Sequence, residues 1–252
     1  MNALFFGESR RRLFGVWHPA RPEVARDRVV VLCYPAAQEY NLTHWAFRKL
    51  AGLLSVGGLH AFRFDYSCTG DSEGAIEEGN LDQWVDDIRT AAREARDLSG
   101  ARTLSLMGMR LGASLALRAC REPGLSVRDL VLWEPVVSGR VYVEEFEELH
   151  ELRRVQLLDA LPRAQDELMG FPFPPRLRAQ IEALDATQGA APSARRVTVV
   201  GSDTGAELDR LLPTLGPNAQ RRQLDESSAA HGERETALLS NHALDVIAEA
   251  LR

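Results

Sequence analysis

Cysteine is scarce in this chain. Cys33, Cys68 and Cys120 are the only three among 252 residues, they lie far apart, and no CxxC pair occurs. That usage excludes a disulfide framework and a cysteine-based zinc site, and it suits a reducing compartment. Long apolar runs are missing as well, and none approaches the roughly 20 residues a bilayer-spanning helix needs. No tract is basic enough to follow a phosphate backbone, and the formal net charge is −6, so nucleic acid is not an expected partner. The opening residues Met1-Asn-Ala-Leu-Phe-Phe-Gly-Glu-Ser-Arg10 lack the basic-then-apolar order of a secretory signal. These absences lead to the expectation of a cytoplasmic protein without a metal or organic cofactor. Internal repeats and low-complexity segments are absent too.

What is present is ordinary globular chemistry. With 45% hydrophobic and 26% charged residues, the chain can bury one α/β core, with or without an insertion. Leu4 to Glu8 and Arg12 to His18 read as a strand hairpin. Val29-Val-Val-Leu-Cys33 is a β-branched run suited to a strand buried on both faces. A loop over 36–41 and a helix from about Leu42 to Val56 are expected next, then a strand from His60 to Asp65. Leu81, Trp84, Val85, Ile88, Ala91 and Ala92 mark one face of a helix ending near Leu98, on which Asp82, Asp86 and Asp87 are expected to face solvent. Leu130–Trp133 and Arg196–Val200 are further strands, Gln220–Leu224 a weak last one, and Asn241–Leu251 the last helix. Residues 140–190 are dense in charge, show helical periodicity and give no strand signal, which predicts an inserted helical cap. Strands alternating with helices predict a mostly parallel sheet covered on both faces.

One stretch organises the rest. Thr103 to Met107 is a short apolar strand, and apolar and small residues take helical spacing from Leu111 onward. Between them, Gly108-Met-Arg-Leu-Gly112 frames a tight turn. Strand, glycine-framed turn and helix make the layout of a nucleophile elbow, G-x-S-x-G. Arg110 stands where that layout has its serine.

Together with Tyr34-Pro35 and Gln38-Glu39, Arg63-Phe-Asp-Tyr-Ser-Cys-Thr-Gly-Asp-Ser72, Leu81-Asp-Gln-Trp-Val-Asp-Asp-Ile88 and Leu132-Trp-Glu-Pro-Val-Val-Ser-Gly139, the elbow resembles the α/β-hydrolase superfamily. The likeness is to its serine-aminopeptidase and lysophospholipase-like branch, close to hydrolase-like proteins found beside exosortase systems. It covers nearly the whole chain. It implies an α/β-hydrolase fold, a small-molecule or acyl substrate, and an ester, thioester or amide hydrolase. The superfamily order of nucleophile, acid and histidine falls on Arg110, Asp203 and His231, with His242 as the competing histidine. Oxyanion donors fall on the backbone of Leu111 and Ala36, with Gln38 beside them.

A guanidinium stays protonated and cannot attack a carbonyl, so three readings follow. Another nucleophile serves, Cys68 first, its thiol acidified by a nearby Arg110. Or Arg110 anchors a carboxylate or phosphate, with Glu39 and His231 as acid or base. Or the site is inert, Arg110 being neutralised by Glu39, Asp203 or Glu134, and the chain is a binding or auxiliary protein, in natural-product or polysaccharide biosynthesis for example. A homodimer is compatible with all three.

Overall fold

The computed structural model describes residues 1–156, 166–201, 205–224 and 241–252. Its centre is an eight-stranded sheet. In chain order the strands are β1 (Asn2–Glu8), β2 (Arg11–His18), β3 (Arg28–Cys33), β4 (His60–Phe64), β5 (Thr103–Met109), β6 (Val127–Trp133), β9 (Ala194–Gly201) and β10 (Ala219–Gln223), arranged spatially as β1-β2-β4-β3-β5-β6-β9-β10. β1 pairs antiparallel with β2, and β2 with β4; all other neighbours are parallel. The parallel strands are buried on both faces because helices cover both. Five of the six residues of β3 are buried, as its β-branched run predicts.

Helices α1 (Ala37–Val56), α2 (Leu81–Ser99) and α3 (Leu111–Arg121) follow β3, β4 and β5. α1 packs beside the last helix, α7 (Asn241–Leu251), while α2 packs against α3. Asn80 caps α2 by accepting from the Asp82 N–H at 2.9 Å, and Gly100 in the left-handed region ends it. The remaining helices are α4 (Gly139–Gln156), α5 (Pro175–Glu182) and α6 (Ala206–Leu211).

Three expectations need correction. α1 begins at Ala37, five residues before Leu42, because the chain turns sharply at Ala37 itself, whose φ is 51°; Gln38 and Glu39 therefore belong to its first turn. Asp87 is fully buried and accepts the Ser67 N–H at 2.8 Å, so it ties α2 to the loop after β4. The 140–190 segment contains α4 and α5 but also a hairpin, β7 (Glu167–Leu168) with β8 (Phe171–Pro172). Its connection, Met169-Gly170, has positive φ at both residues, 58° and 83°, as a two-residue hairpin turn requires. Strands of two residues are too short to leave a periodicity.

The edge away from the elbow is closed by one buried carboxylate. Asp129, with a side chain 3% exposed, accepts Arg28 Nη2 at 2.6 Å, Arg196 Nε at 2.9 Å and Ser105 Oγ at 3.2 Å. The same arginines donate to the carbonyls of Ala250, Leu251 and Arg252, where α7 ends, so cations meet the negative end of the helix. Burial lowers the Arg28 pKa and the Asp129 charge opposes that shift. Asp129→Ala is expected to lower stability by about 3 kcal/mol, since it strands two half-buried cations. Urea unfolding checks this: the midpoint falls with the slope unchanged, whereas a loss under about 0.5 kcal/mol would mean the clamp carries no weight.

Candidate functional site

In the sheet order the chain runs from β3 to β4 on one side and then returns to β5 on the other. The strand order therefore reverses between β3 and β5. Open parallel sheets bind ligands at the C-terminal ends of the strands beside such a switch point. α1 and α3 start there, which brings the first turn of α1 and the cap of α3 together. A Cβ on Gly112 would collide with the carbonyls of Tyr34 and Cys33, and one on Gly108 with the first turn of α3. Both glycines are required for that close approach.

Backbone strain marks the same edge. Among the described residues, non-glycine positive φ occurs at Ala37, Cys68, Arg110, Glu134 and Met169. The first four lie in the segments directly after β3, β4, β5 and β6. Such conformations cost on the order of 1–3 kcal/mol each and cluster where the fold holds a functional geometry. At Arg110 the angles are φ 50° and ψ −122°. They are fixed by the Arg110 N–H donating to Trp133 O at 2.9 Å, and by Arg110 O accepting from Ala113 at 3.1 Å and Val136 at 3.4 Å. No pattern in the sequence signals the strain at Ala37 or Glu134.

The Arg110 side chain turns into a cluster rather than out to water. Its Nε donates to Glu39 Oε1 at 2.8 Å and its Nη2 to Glu145 Oε2 at 3.2 Å. The guanidinium carbon lies 5.2 Å from the centre of the Tyr142 ring, a cation–π distance. The Tyr142 hydroxyl donates to Glu39 Oε2 at 2.8 Å. Glu39 thus has both oxygens bonded, one from a cation and one from a phenol. Burial pushes its pKa up, opposed by Arg110 and by the two hydrogen bonds. Burial works against the charge on Arg110, but Glu39, Tyr142 and Glu145 outweigh it and its pKa stands above the usual value. Burial and the Glu39 charge hold the Tyr142 hydroxyl well above its usual pKa, so it serves as a donor. Tyr142 and Glu145 sit on one face of α4 at i, i+3, a spacing that groups them but does not show that α4 crosses the elbow.

The other candidates are placed as follows. Ala36 is extended and immediately precedes α1, Gln38 is half-buried in its first turn, and Leu111 opens α3, so its N–H has no carbonyl one turn back. Cys68 is half-buried, and burial together with Glu78 and Asp87 holds its thiol above the usual pKa. This is opposite to the acidified thiol expected from sequence, because burial disfavours the thiolate and the charged groups around it are mainly acidic. Its φ of 65° instead makes it a residue in a position that favours glycine. Ser114 is buried and its hydroxyl donates to Val136 O at 2.5 Å. His242 is exposed in the first turn of α7. Asp203 and His231 lie outside the described residues. A recess of about 590 Å³ is present on the flank of α3, between Leu81, Ser114, Arg118 and Gln180, but Arg110, Glu39, Tyr142 and Glu145 do not line it. Among the described residues no group of three or more His, Cys, Asp or Glu can hold a metal ion, and no helix is long and apolar enough to cross a membrane.

The family model for serine aminopeptidase S33 matches residues 28–200. The chain belongs to that family of α/β hydrolases. No curated protein matches it in sequence. Solved structures of similar fold include a hydrolase from Agrobacterium vitis, 17% identical, covering 100% of this chain and 98% of that one at a TM-score of 0.65. Est1E from Butyrivibrio proteoclasticus, with bound ferulic acid, is 13% identical with 99% and 96% coverage and a TM-score of 0.66. The bottromycin epimerase BotH, in complex with bottromycin A2, is 17% identical over 100% of both chains with a TM-score of 0.65. At these identities the likeness is one of fold.

The Arg110–Glu39 pair should behave as a unit. Glu39→Ala leaves the guanidinium unpaired and is expected to cost about 2–3 kcal/mol, below the full value for a buried pair because both side chains keep some water contact. The double variant Glu39→Ala/Arg110→Met is expected to be at least about 1 kcal/mol more stable than the sum of the two single losses. Denaturant unfolding of all four proteins measures this coupling; losses additive within about 0.5 kcal/mol would contradict it.

Proposed function

We propose that this member of the family does not hydrolyse through a covalent intermediate. It binds a carboxylate-bearing or acyl small molecule at the crevice between α1 and α3, as a binding or auxiliary protein. The observation that carries this reading is the ion pair between Arg110 and Glu39 at the point where attack would begin. A protonated guanidinium has no lone pair to offer an acyl carbon. The hydrolase reading needs a substitute nucleophile, and the raised thiol of Cys68 and the engaged hydroxyl of Ser114 both weigh against one.

What remains at the crevice is binding chemistry. Arg110 contributes a fixed cation, Leu111 and Ala36 contribute backbone donors, and Gln38 lies beside them. Asp203 and His231, in the positions the family resemblance gives them, would supply acid–base chemistry without an acyl-enzyme, while Glu39 stays engaged by Arg110 and Tyr142. The cap is α4, which supplies Tyr142 and Glu145. By name, one structural neighbour holds ferulic acid and another is an epimerase. An acidic ligand and a task other than hydrolysis are thus both consistent with this architecture.

Two measurements test the reading. Incubation with a fluorophosphonate probe and with a nitrophenyl ester is expected to leave the intact mass unchanged, and ester turnover no faster than with the unfolded chain. A stoichiometric adduct on any serine or on Cys68 would overturn it. Among acetate, butyrate and octanoate, at least one is expected to raise the melting temperature of the wild type saturably and to have no such effect on Arg110→Met/Glu39→Gln, which loses both charges together and so should stay folded. Equal shifts in both proteins would remove Arg110 from the ligand site.

A further inference from the structure

The two carboxylates on Arg110 are not equivalent. Glu39 is mostly buried, 16% exposed at the side chain, with both oxygens bonded. Glu145 is 58% exposed, and its contact with Arg110 is a single longer one at 3.2 Å. An exposed single-contact pair of that kind contributes little to stability, whereas withdrawing Glu39 would strand both the cation and the Tyr142 hydroxyl. Arg110 Nη1 makes no hydrogen bond among the described residues, and among them the Nη1–Nη2 edge of the guanidinium is held by Glu145 alone. That edge is the fork that takes a carboxylate with two parallel bonds.

Charge decides what fits there. Arg110, Glu39 and Glu145 together carry one net negative charge when ionised, which is poor for adding an anion and suited to exchanging one. A ligand carboxylate that replaces Glu145 leaves the count unchanged. A dianionic phosphate would add charge next to Glu39. Glu145 stands on α4 one turn beyond Tyr142, so its release also frees one of the ties between α4 and the elbow.

We propose that Glu145 is a built-in place-holder: it occupies the seat of the ligand's own carboxylate on the outer edge of Arg110, and it yields that seat when a monocarboxylate binds, loosening α4 from the elbow. The proposal rests on the carboxylate-binding reading above and adds a residue and a direction to it.

Calorimetric titration with acetate, butyrate and octanoate, and with the matching neutral amides, tests it on the wild type, Glu145→Gln and Arg110→Met/Glu39→Gln. Glu145→Gln lies outside the buried part of the cluster and keeps Arg110 paired with Glu39. It is expected to bind the preferred acid about two- to fivefold more tightly than the wild type, the range an exposed ion pair is worth, with no gain for the amide. Amide hydrogen exchange over residues 140–150 is expected to quicken both in Glu145→Gln and in the wild type on adding the acid. Unchanged or weaker binding by Glu145→Gln, with the Arg110→Met/Glu39→Gln protein still silent, would overturn the place-holder and leave the binding reading intact. Wild-type-like binding by the double variant, or no saturable binding by either of the other two proteins, would overturn both.

Discussion

Everything at the crevice depends on one ion pair. An arginine at the elbow is tolerable only because a carboxylate from a different element meets it, and Glu39 can do so because α1 begins at Ala37. Had the helix started at Leu42, Glu39 would sit on a loop with no fixed direction. The pair then recruits α4: Tyr142 bonds the second Glu39 oxygen and places its ring beside the guanidinium. Three elements distant in sequence are thereby fixed at the place where the sheet order reverses.

The backbone is organised for the same point. The fold maintains positive φ at Ala37, Cys68, Arg110 and Glu134, each just beyond a central strand. At Arg110 this conformation is held by hydrogen bonds to Trp133 and from Val136. The strained elbow, the close-packed glycines and the open first turn of α3 surround a permanent cation at Arg110. Such a costly geometry is intelligible if it positions something, and backbone donors beside a cation position anions well.

The architecture was legible from patterns that burial imposes. The β-branched run at Val29–Cys33, the apolar face from Leu81 to Ala92 and the glycine frame at 108–112 each correspond to one physical demand, and each led to the right element. The α1 boundary was not legible, since Ala36 and Ala37 carry no capping side chain and the turn is made by strained backbone. Asp87 reads as a surface residue in a helical wheel, yet it is buried because Ser67 needs an acceptor. Within the site, Arg110 and Glu39 were visible as chemistry, but Tyr142 and Glu145 were not, because their role comes from how α4 crosses the elbow. The raised pKa of Cys68 comes from burial and then from Glu78 and Asp87, surroundings that exist only in the folded chain.

The most direct test of the account is the side-chain Nε–H of Arg110 by proton–nitrogen NMR, assigned by comparison with Arg110→Met. A proton held between Nε and a half-buried carboxylate is expected to exchange slowly with water, to shift downfield of the other arginines, and to lose both properties in Glu39→Gln. An Arg110 Nε–H that exchanges as fast as an exposed arginine and is indifferent to Glu39→Gln would contradict the claim that this pair fills the elbow.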